Sequence, residues 1–295
     1  MGVLEELHER VSAVGDKVGG SVVGVGQRWG IGSGIVIAPG RVLTNAHNLR
    51  GESITVTFAD GRQVDATAAG VDIDGDIAVL KVDTGDTPVV TWNGRSKDAG
   101  IGLPIFALSN PGGRGLRVTF GLVSGTERAF RGPRGRRIAG SLEHTAPLLP
   151  GSSGGPVVDL DGELLGINTN RLGEGFYLAI PADDALRRRV EALAEGQAPS
   201  RPKLGVGVVP PHVARGLRRA VGLPDADGVL VRQVEDDSAA AKAGIAEGDM
   251  IVAVGDARVS DPDELHAALE AAGAGATITI TVLRGTEERA VTVTV

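Results

Sequence analysis

Two adjacent serines, Ser152 and Ser153, lie between Gly151 and Gly154-Gly155 in the run LLPGSSGGPVVDL, residues 148–160. A serine hydroxyl is a poor nucleophile at neutral pH, so it needs a base to take its proton and a third group to hold that base in the right tautomer. Two other stretches supply those types. GSGIVIAPGRVLTNAHNL, 32–49, runs into His47, and DIDGDIAVLKV, 72–82, offers Asp72, Asp74 and Asp76, the last at the start of an apolar run. An oxyanion that develops on an attacked carbonyl must meet two convergent backbone N–H groups. Gly151 allows the turn this requires, and Gly154-Gly155 keep side chains out of the approach. This reading makes Ser153 the nucleophile, the amides of Gly151 and Ser153 the oxyanion donors, and Ser152 a residue that steadies the loop.

The elements that must carry these groups are short strands. From Ser21 to about Ile180, Val/Ile/Thr-rich runs such as SVVGVG, SITVTF, DIAVLKV and ELLGINT alternate with turn signals, Asp60-Gly61 and Asp161-Gly162 among them. Residues 1–19 read as an N-terminal amphipathic helix that ends at Gly19-Gly20, and ADDALRRRVEALAE, 182–195, as a helix capped by Asp183 or Asp184. The polar GQAPSRPK, 196–203, reads as a linker between a first unit, 20–195, and a second, 204–295, where helices and strands mix.

Composition narrows the alternatives. The 295 residues suit two domains. The 45 glycines against eight aromatics suit short strands and tight turns. A net charge of −7 argues against a nucleic-acid binder, because phosphate neutralisation needs a basic surface. With no cysteine there are no disulfides and no thiolate metal sites. The acid clusters at 72–76 and 159–163 fail the calcium-loop pattern, because the glycine comes too early and no distant Glu closes the loop; both read as turns, and no metal or cofactor is expected. No run approaches the roughly 20 apolar residues of a membrane span. The opening residues hold no leader-length apolar stretch. As it stands the chain reads as cytoplasmic, and as periplasmic or otherwise extracytoplasmic if preceding residues have been removed.

TNAH at 44–47, DIAVLKV at 76–82, VTFGLVSG at 118–125 and GSSGGPVVDLDGELLGINT at 151–169 together resemble the chymotrypsin-fold serine proteases of the HtrA (Deg) type. The resemblance implies two six-stranded β-barrels with the site in the cleft between them, and a triad of His47, Asp76 and Ser153. Asp76 is the aspartate that directly precedes the IAVLK strand. Two departures stand out: Ser152 where the family more often has Asn, and Thr145 where an acid is usual. GFYLAIP, 175–181, is expected to close the second barrel beside the substrate pocket. Leu148, Leu149, Ile167 and Leu178 are expected to line that pocket, which holds no acid to attract Lys or Arg, so a small or aliphatic residue is expected before the cleaved bond. The strand Ile167-Asn168-Thr169-Asn170 is expected to pair with an extended substrate. Residues 127–137, with five arginines, read as a solvated loop or, by position, as a loop that relays an activating signal.

The second unit resembles a PDZ domain, most specifically at AGIAEGDMIVAVGD, 243–256, followed by the helix in DPDELHAALEAAG, 261–273. Its peptide groove is expected between Leu204-Gly205-Val206-Gly207 and the helix residues Leu265 and Leu269. The sequence therefore predicts a mainly β protein, a double-barrel protease domain followed by an α+β PDZ domain. It would act as an ATP-independent endopeptidase on unfolded polypeptides, with C-terminal peptides as PDZ ligands, and the resemblance implies a homotrimer. Two other readings stay open: a non-enzymatic holdase or peptide-binding adaptor on an inactive protease scaffold, and an esterase with the same chemistry.

Overall fold

The computed structural model describes residues 2–27, 30–49, 53–132, 137–171, 175–197 and 202–295. They form two compact units divided between residues 199 and 200. The first begins with helix α1, Val3–Val18. Val14 and Val18 fall on one face and are buried in the core of the unit, and the backbone N–H of Gly2 donates to Glu5 Oε2 at 2.9 Å. Residues 198–201 of the expected linker lie outside the described residues.

Six strands follow: β1 Val22–Gln27, β2 Gly30–Ala38, β3 Arg41–Thr44, β4 Ile54–Thr57, β5 Gln63–Asp72 and β6 Ile77–Lys81. They close into a barrel in the order β1-β2-β3-β6-β5-β4. The next six, β7 Pro104–Ser109, β8 Arg117–Arg131, β9 Arg137–His144, β10 Pro156–Val158, β11 Leu164–Arg171 and β12 Tyr177–Pro181, close a second barrel in the order β10-β11-β12-β9-β8-β7. Asp60-Gly61 and Asp161-Gly162 turn the chain between β4 and β5 and between β10 and β11, with Gly61 at φ 86° and Gly162 at φ 74°. Closure removes the free edges that would otherwise pair with other chains.

Strand alternation divides the apolar residues between two destinations. Val36 and Val42 fill the first barrel with Val23, Val25, Val56 and Leu80, and Ile105, Val123, Leu142, Val157 and Leu165 fill the second. Their neighbours Ile35, Leu43, Ile77, Phe106, Leu108 and Val158 turn the other way into one larger cluster, joined by α1 and by helix α2, Asp184–Ala194. Burial of a Val, Leu, Ile or Phe side chain contributes roughly 1.5–3 kcal/mol, so this shared cluster fixes the barrels against each other. Asp183 caps α2 by accepting from the N–H of Leu186 at 2.7 Å.

The second unit is a sheet of β13 Val206–Val208, β14 Val229–Val234, β15 Met250–Val254, β16 Ala257–Arg258, β17 Thr277–Arg284 and β18 Glu287–Thr294. Its order is β13-β14-β15-β17-β18, with β16 on β15. Helices α3 Pro211–Ala220, α4 Ala239–Lys242 and α5 Pro262–Ala272 complete it. No helix among the described residues is long and apolar enough to cross a membrane.

Candidate active site

His47 follows β3 in a single helical turn, and Asp76 stands just before β6, which pairs with β3 from Arg41↔Lys81 to Thr44↔Ala78. That register carries the two residues to one end of the barrel. The Asp76 carboxylate, 1% exposed, lies 2.9 Å from His47 Nδ1 through both oxygens. It also accepts the backbone N–H of His47 at 3.1 Å and the hydroxyl of Thr169 at 2.7 Å. Held between these donors, the carboxylate keeps the proton on Nδ1 and leaves Nε2 as the basic atom. Asp76 has φ 54°, a left-handed backbone that a side chain rarely adopts, and the Asn45 amide donates to its carbonyl at 2.8 Å.

Ser153 reaches the same place from the second barrel. Its Oγ donates to the carbonyl of Thr169 at 2.8 Å. A hydroxyl has one proton, so in this conformation none is directed at His47. The loop that carries Ser153 is fastened from the first barrel. Ser33 N–H donates to the Ser153 carbonyl and Ser33 Oγ to the Gly151 carbonyl, each at 2.8 Å, and Asn48 Nδ2 donates to the Ser153 carbonyl at 2.9 Å. Ser152 is buried, with Oγ donating to Ser109 Oγ at 3.2 Å, which suits a residue that steadies the loop. Thr145 anchors the segment to β8 through Leu122, its N–H donating to the Leu122 carbonyl and its Oγ1 accepting the Leu122 N–H, both at 3.0 Å.

The opening glycines have distinct tasks. Ser152 N–H donates to the Leu149 carbonyl at 3.1 Å across Pro150 and Gly151, and Gly151 has φ 89°. Proline second and a positive-φ glycine third is the type II pattern. The amides of Gly151 and Ser153 have no hydrogen-bond acceptor among the described residues. Gly154, at φ 89°, has its α-carbon so close to β2 that a Cβ there would lie 2.0 Å from the Ser33 carbonyl oxygen.

These groups line a pocket of about 460 Å3. Beside His47, Asp76, Ser153 and Thr169, its walls are Leu148 to Ser152 from the loop, Phe130 to Gly132 from the end of β8, and Tyr177 from β12. Leu148 and Leu149, expected in the pocket wall, border this cavity, and Thr169, expected to pair with a substrate, borders it as well. Ile167 and Leu178 do not: both are fully buried in the shared cluster between the barrels, which takes their side chains and leaves none for the cleft. Asn168 is buried as well, its backbone paired with Gly154 and Gly155 and its Oδ1 3.0 Å from His144 Nε2. Asn170 pairs with Leu178 after a break in register at Thr169. Of the Arg-rich segment, residues 133–136 lie outside the described residues; Arg131 borders the pocket, and Arg128 Nε meets the buried Glu143 at 3.1 Å.

Sequence reasoning missed Asn45, Ser33, Asn48, Tyr177 and His144. Asn45 is in the quoted TNAH, and its place two residues before His47 is the one signal that could have found it. His144 is buried, and burial lowers its pKa to about 4 against the opposing effect of its bond to Asn168. In the second unit, Leu204, Leu265 and Leu269 belong to the core rather than to a groove, because α5 presents both leucines to the sheet. β13 is the terminal strand of that sheet, paired on one side with β14.

A profile described as trypsin-like peptidase domain matches residues 32–167, and one described as PDZ domain matches 202–295. The chain is 35% identical over 276 residues to a probable periplasmic serine endoprotease, DegP-like, of Halomonas elongata; that covers 91% of this chain and 57% of the relative, so the chain spans little more than half of that protein. It is 35% identical over 279 residues to the putative serine protease HhoA of Synechocystis, covering 90% of this chain and 70% of the relative. Among solved structures, the HtrA-type protease AlgW with a decapeptide superposes with a TM-score of 0.78 at 27% identity, covering 96% and 97% of the two chains. The serine endoprotease from Yersinia pestis gives 0.73 at 30% identity, with 96% of each covered. With two closed barrels, a histidine, aspartate and serine at their junction and a PDZ domain following in the sequence, the chain belongs to the HtrA (Deg) type of chymotrypsin-fold serine proteases.

Proposed function

We propose that the chain is an ATP-independent serine endopeptidase acting on unfolded polypeptides, with Ser153 as nucleophile, His47 as general base and Asp76 as its orienting carboxylate. The observation that carries this reading is the unbroken line from His47 through Asp76 and Thr169 to Ser153, formed by four segments remote in sequence. For reaction, the Ser153 hydroxyl turns from the Thr169 carbonyl to His47 Nε2. Oγ then attacks the substrate carbonyl carbon while its proton passes to Nε2. The oxyanion is received by the free amides of Gly151 and Ser153. The imidazolium then gives that proton to the departing amine, the C–N bond breaks and an acyl-enzyme remains. Water attacks with His47 again as base, releasing the acid product and restoring Ser153. Beyond Asn168 the β11 edge has no β10 partner, which supports strand addition by an extended substrate along Thr169 and Asn170.

For the second unit we propose capture of C-terminal peptides, supported by the unpaired edge of β13 and by Gly205, whose φ of 77° turns the backbone at the entry to that strand. A homotrimer and an extracytoplasmic site of action belong to the same proposal; the DegP-like relative is named as periplasmic. A fluorophosphonate probe tests the reading. Covalent labelling of Ser153, lost in Ser153→Ala together with casein cleavage, supports it. A protein that folds, binds peptide and is never labelled is instead the adaptor. Ester turnover without casein cleavage makes it an esterase.

A further inference from the structure

Asp76 is fastened at its carboxylate by His47 and Thr169 and at its carbonyl by Asn45. The turn that presents it is held from a third side. Asp72 ends β5 and pairs with Ile77 of β6, and between them the chain reverses, with the Asp76 N–H donating to the Ile73 carbonyl at 3.3 Å. The Asp72 side chain is buried, 2% exposed. Its Oδ1 accepts the N–H of Gly75, the residue directly before Asp76, at 2.9 Å, and its Oδ2 lies 3.7 Å from Nη1 of Arg189 on α2. Both charged groups lie against Gly75: a Cβ built there would stand 2.3 Å from Asp72 Oδ2 and 2.8 Å from Arg189 Nη1. Arg189 reaches the turn from a fixed base, because α2 sits directly on β5. A Cβ at Gly70 would lie 2.5 Å from the Leu193 carbonyl oxygen, and Leu186, Val190 and Leu193 are buried in the shared cluster.

The bond to Gly75 does not by itself require an acid, since asparagine caps such a turn as well as aspartate does. What the carboxylate adds is charge, and a buried charge is costly unless it is paired and hydrogen-bonded. Arg189 supplies the pairing. The left-handed backbone of Asp76, φ 54°, is of the kind that persists only where the surroundings over-determine it. We propose that Asp72 and Arg189 are positioning residues for catalysis: the pair locks Gly75, and through it sets the backbone of Asp76 and the place of its carboxylate beneath His47. This rests on the endopeptidase reading and extends its machinery to α2, none of whose residues lines the active-site pocket. Neither member of the pair touches the reacting atoms; each acts through Asp76.

The test uses the full chain, with kcat and KM for a peptide substrate taken per active site titrated by a fluorophosphonate, beside urea unfolding. Asp72→Asn keeps an acceptor for Gly75 and removes the charge; Arg189→Met removes the counter-ion and keeps most of the stem. A misplacement of about 1 Å costs about 100-fold, so kcat per site is expected to fall roughly 10- to 100-fold in each. The rate of fluorophosphonate labelling should fall with it, and KM should stay within about twofold, the pattern of an interaction that serves the transition state. The contact uses one nitrogen of Arg189, so Arg189→Lys should recover most of the loss. The double variant should be no slower than the worse single, because the two residues act as one unit. A fall short of about tenfold in either single variant overturns the proposal, even if urea unfolding shows lost stability, since that is the mark of a structural pair. So does a loss confined to KM, a lysine variant as slow as the methionine one, or losses that multiply in the double variant. Should Asp72→Asn not fold, the half-exposed Arg189 carries the test through its own two variants. If the wild type neither cleaves nor takes a fluorophosphonate, the endopeptidase reading has failed and this inference falls with it; an active wild type with unaffected variants removes this inference alone.

Discussion

Gly154→Ala should separate two costs that glycine hides. At φ 89° an L-residue is strained by about 1–2 kcal/mol. Gly61, at φ 86° with nothing within 4 Å of a built Cβ, would meet only that cost. At Gly154 the same Cβ would also lie 2.0 Å from the Ser33 carbonyl oxygen and 2.6 Å from Thr44 Oγ1. Neither can step aside. Ser33 N–H is bonded to the Ser153 carbonyl, and the Ser33 carbonyl accepts from Thr44 Oγ1 at 2.7 Å. To restore an ordinary contact the loop and β2 must part by about 1 Å, an overpacking strain of about 1–3 kcal/mol. Gly61→Ala should therefore lose about 1–2 kcal/mol in urea unfolding and keep full activity. Gly154→Ala should lose about 2–5 kcal/mol. Because the moving atoms belong to the residue beside Ser153, and a misplacement of about 1 Å costs about 100-fold, its kcat/KM and its rate of fluorophosphonate labelling should fall about 100-fold in protein that is still folded. A Gly154→Ala enzyme within threefold of wild type would refute the view that this close approach positions the nucleophile.

Thr169→Ala removes the hydroxyl bonded to Asp76 but keeps the carbonyl that receives Ser153. Losing a hydrogen bond to a charged group, about 1.5–3 kcal/mol, predicts a fall in kcat of roughly 10- to 100-fold with KM little changed, and Thr169→Ser should recover most of it. Asn45→Ala leaves the Asp76 carbonyl without its donor and its left-handed backbone unfastened; a stability loss of about 1–3 kcal/mol and a lower kcat are expected, measured by urea unfolding and peptide hydrolysis. His144 supplies the pH dependence. Its folded pKa, about 4, lies below the ordinary 6.5, so the unfolded chain binds the proton more readily. The stability this gives is fully present above pH 6.5 and is lost as pH falls toward 4, by about 3 kcal/mol at about 1.4 kcal/mol per unit. His144→Gln should flatten that part of a stability–pH curve, and an unchanged slope would show that the ring is not buried in solution.

The serine loop was legible because its requirements are local. A positive φ at Gly151 and a close approach at Gly154 each demand glycine, and those demands are written in consecutive residues. His47 and Asp76 were legible because they end and begin strands whose pairing puts them together. The pocket was misread where the requirement is a matter of facing. Ile167 and Leu178 are apolar and in the right segments, but they turn into the core shared by the two barrels and leave the cleft to Tyr177 and to the backbone of Thr169. A break in register between Asn168 and Asn170 intervenes at this point, and no composition rule marks it. Leu265 and Leu269 fail for the helical version of the same reason: spaced by four, they share one face of α5, and a helix with a single apolar face gives that face to its own sheet before it gives anything to a ligand. Apolar residues near a site are therefore the weakest guide to its lining, since the core competes for the same side chains. The polar residues that hold the site, Asn45, Ser33 and Thr169, are buried and each makes a specific hydrogen bond to the catalytic segments, which makes them the more testable part of the reading.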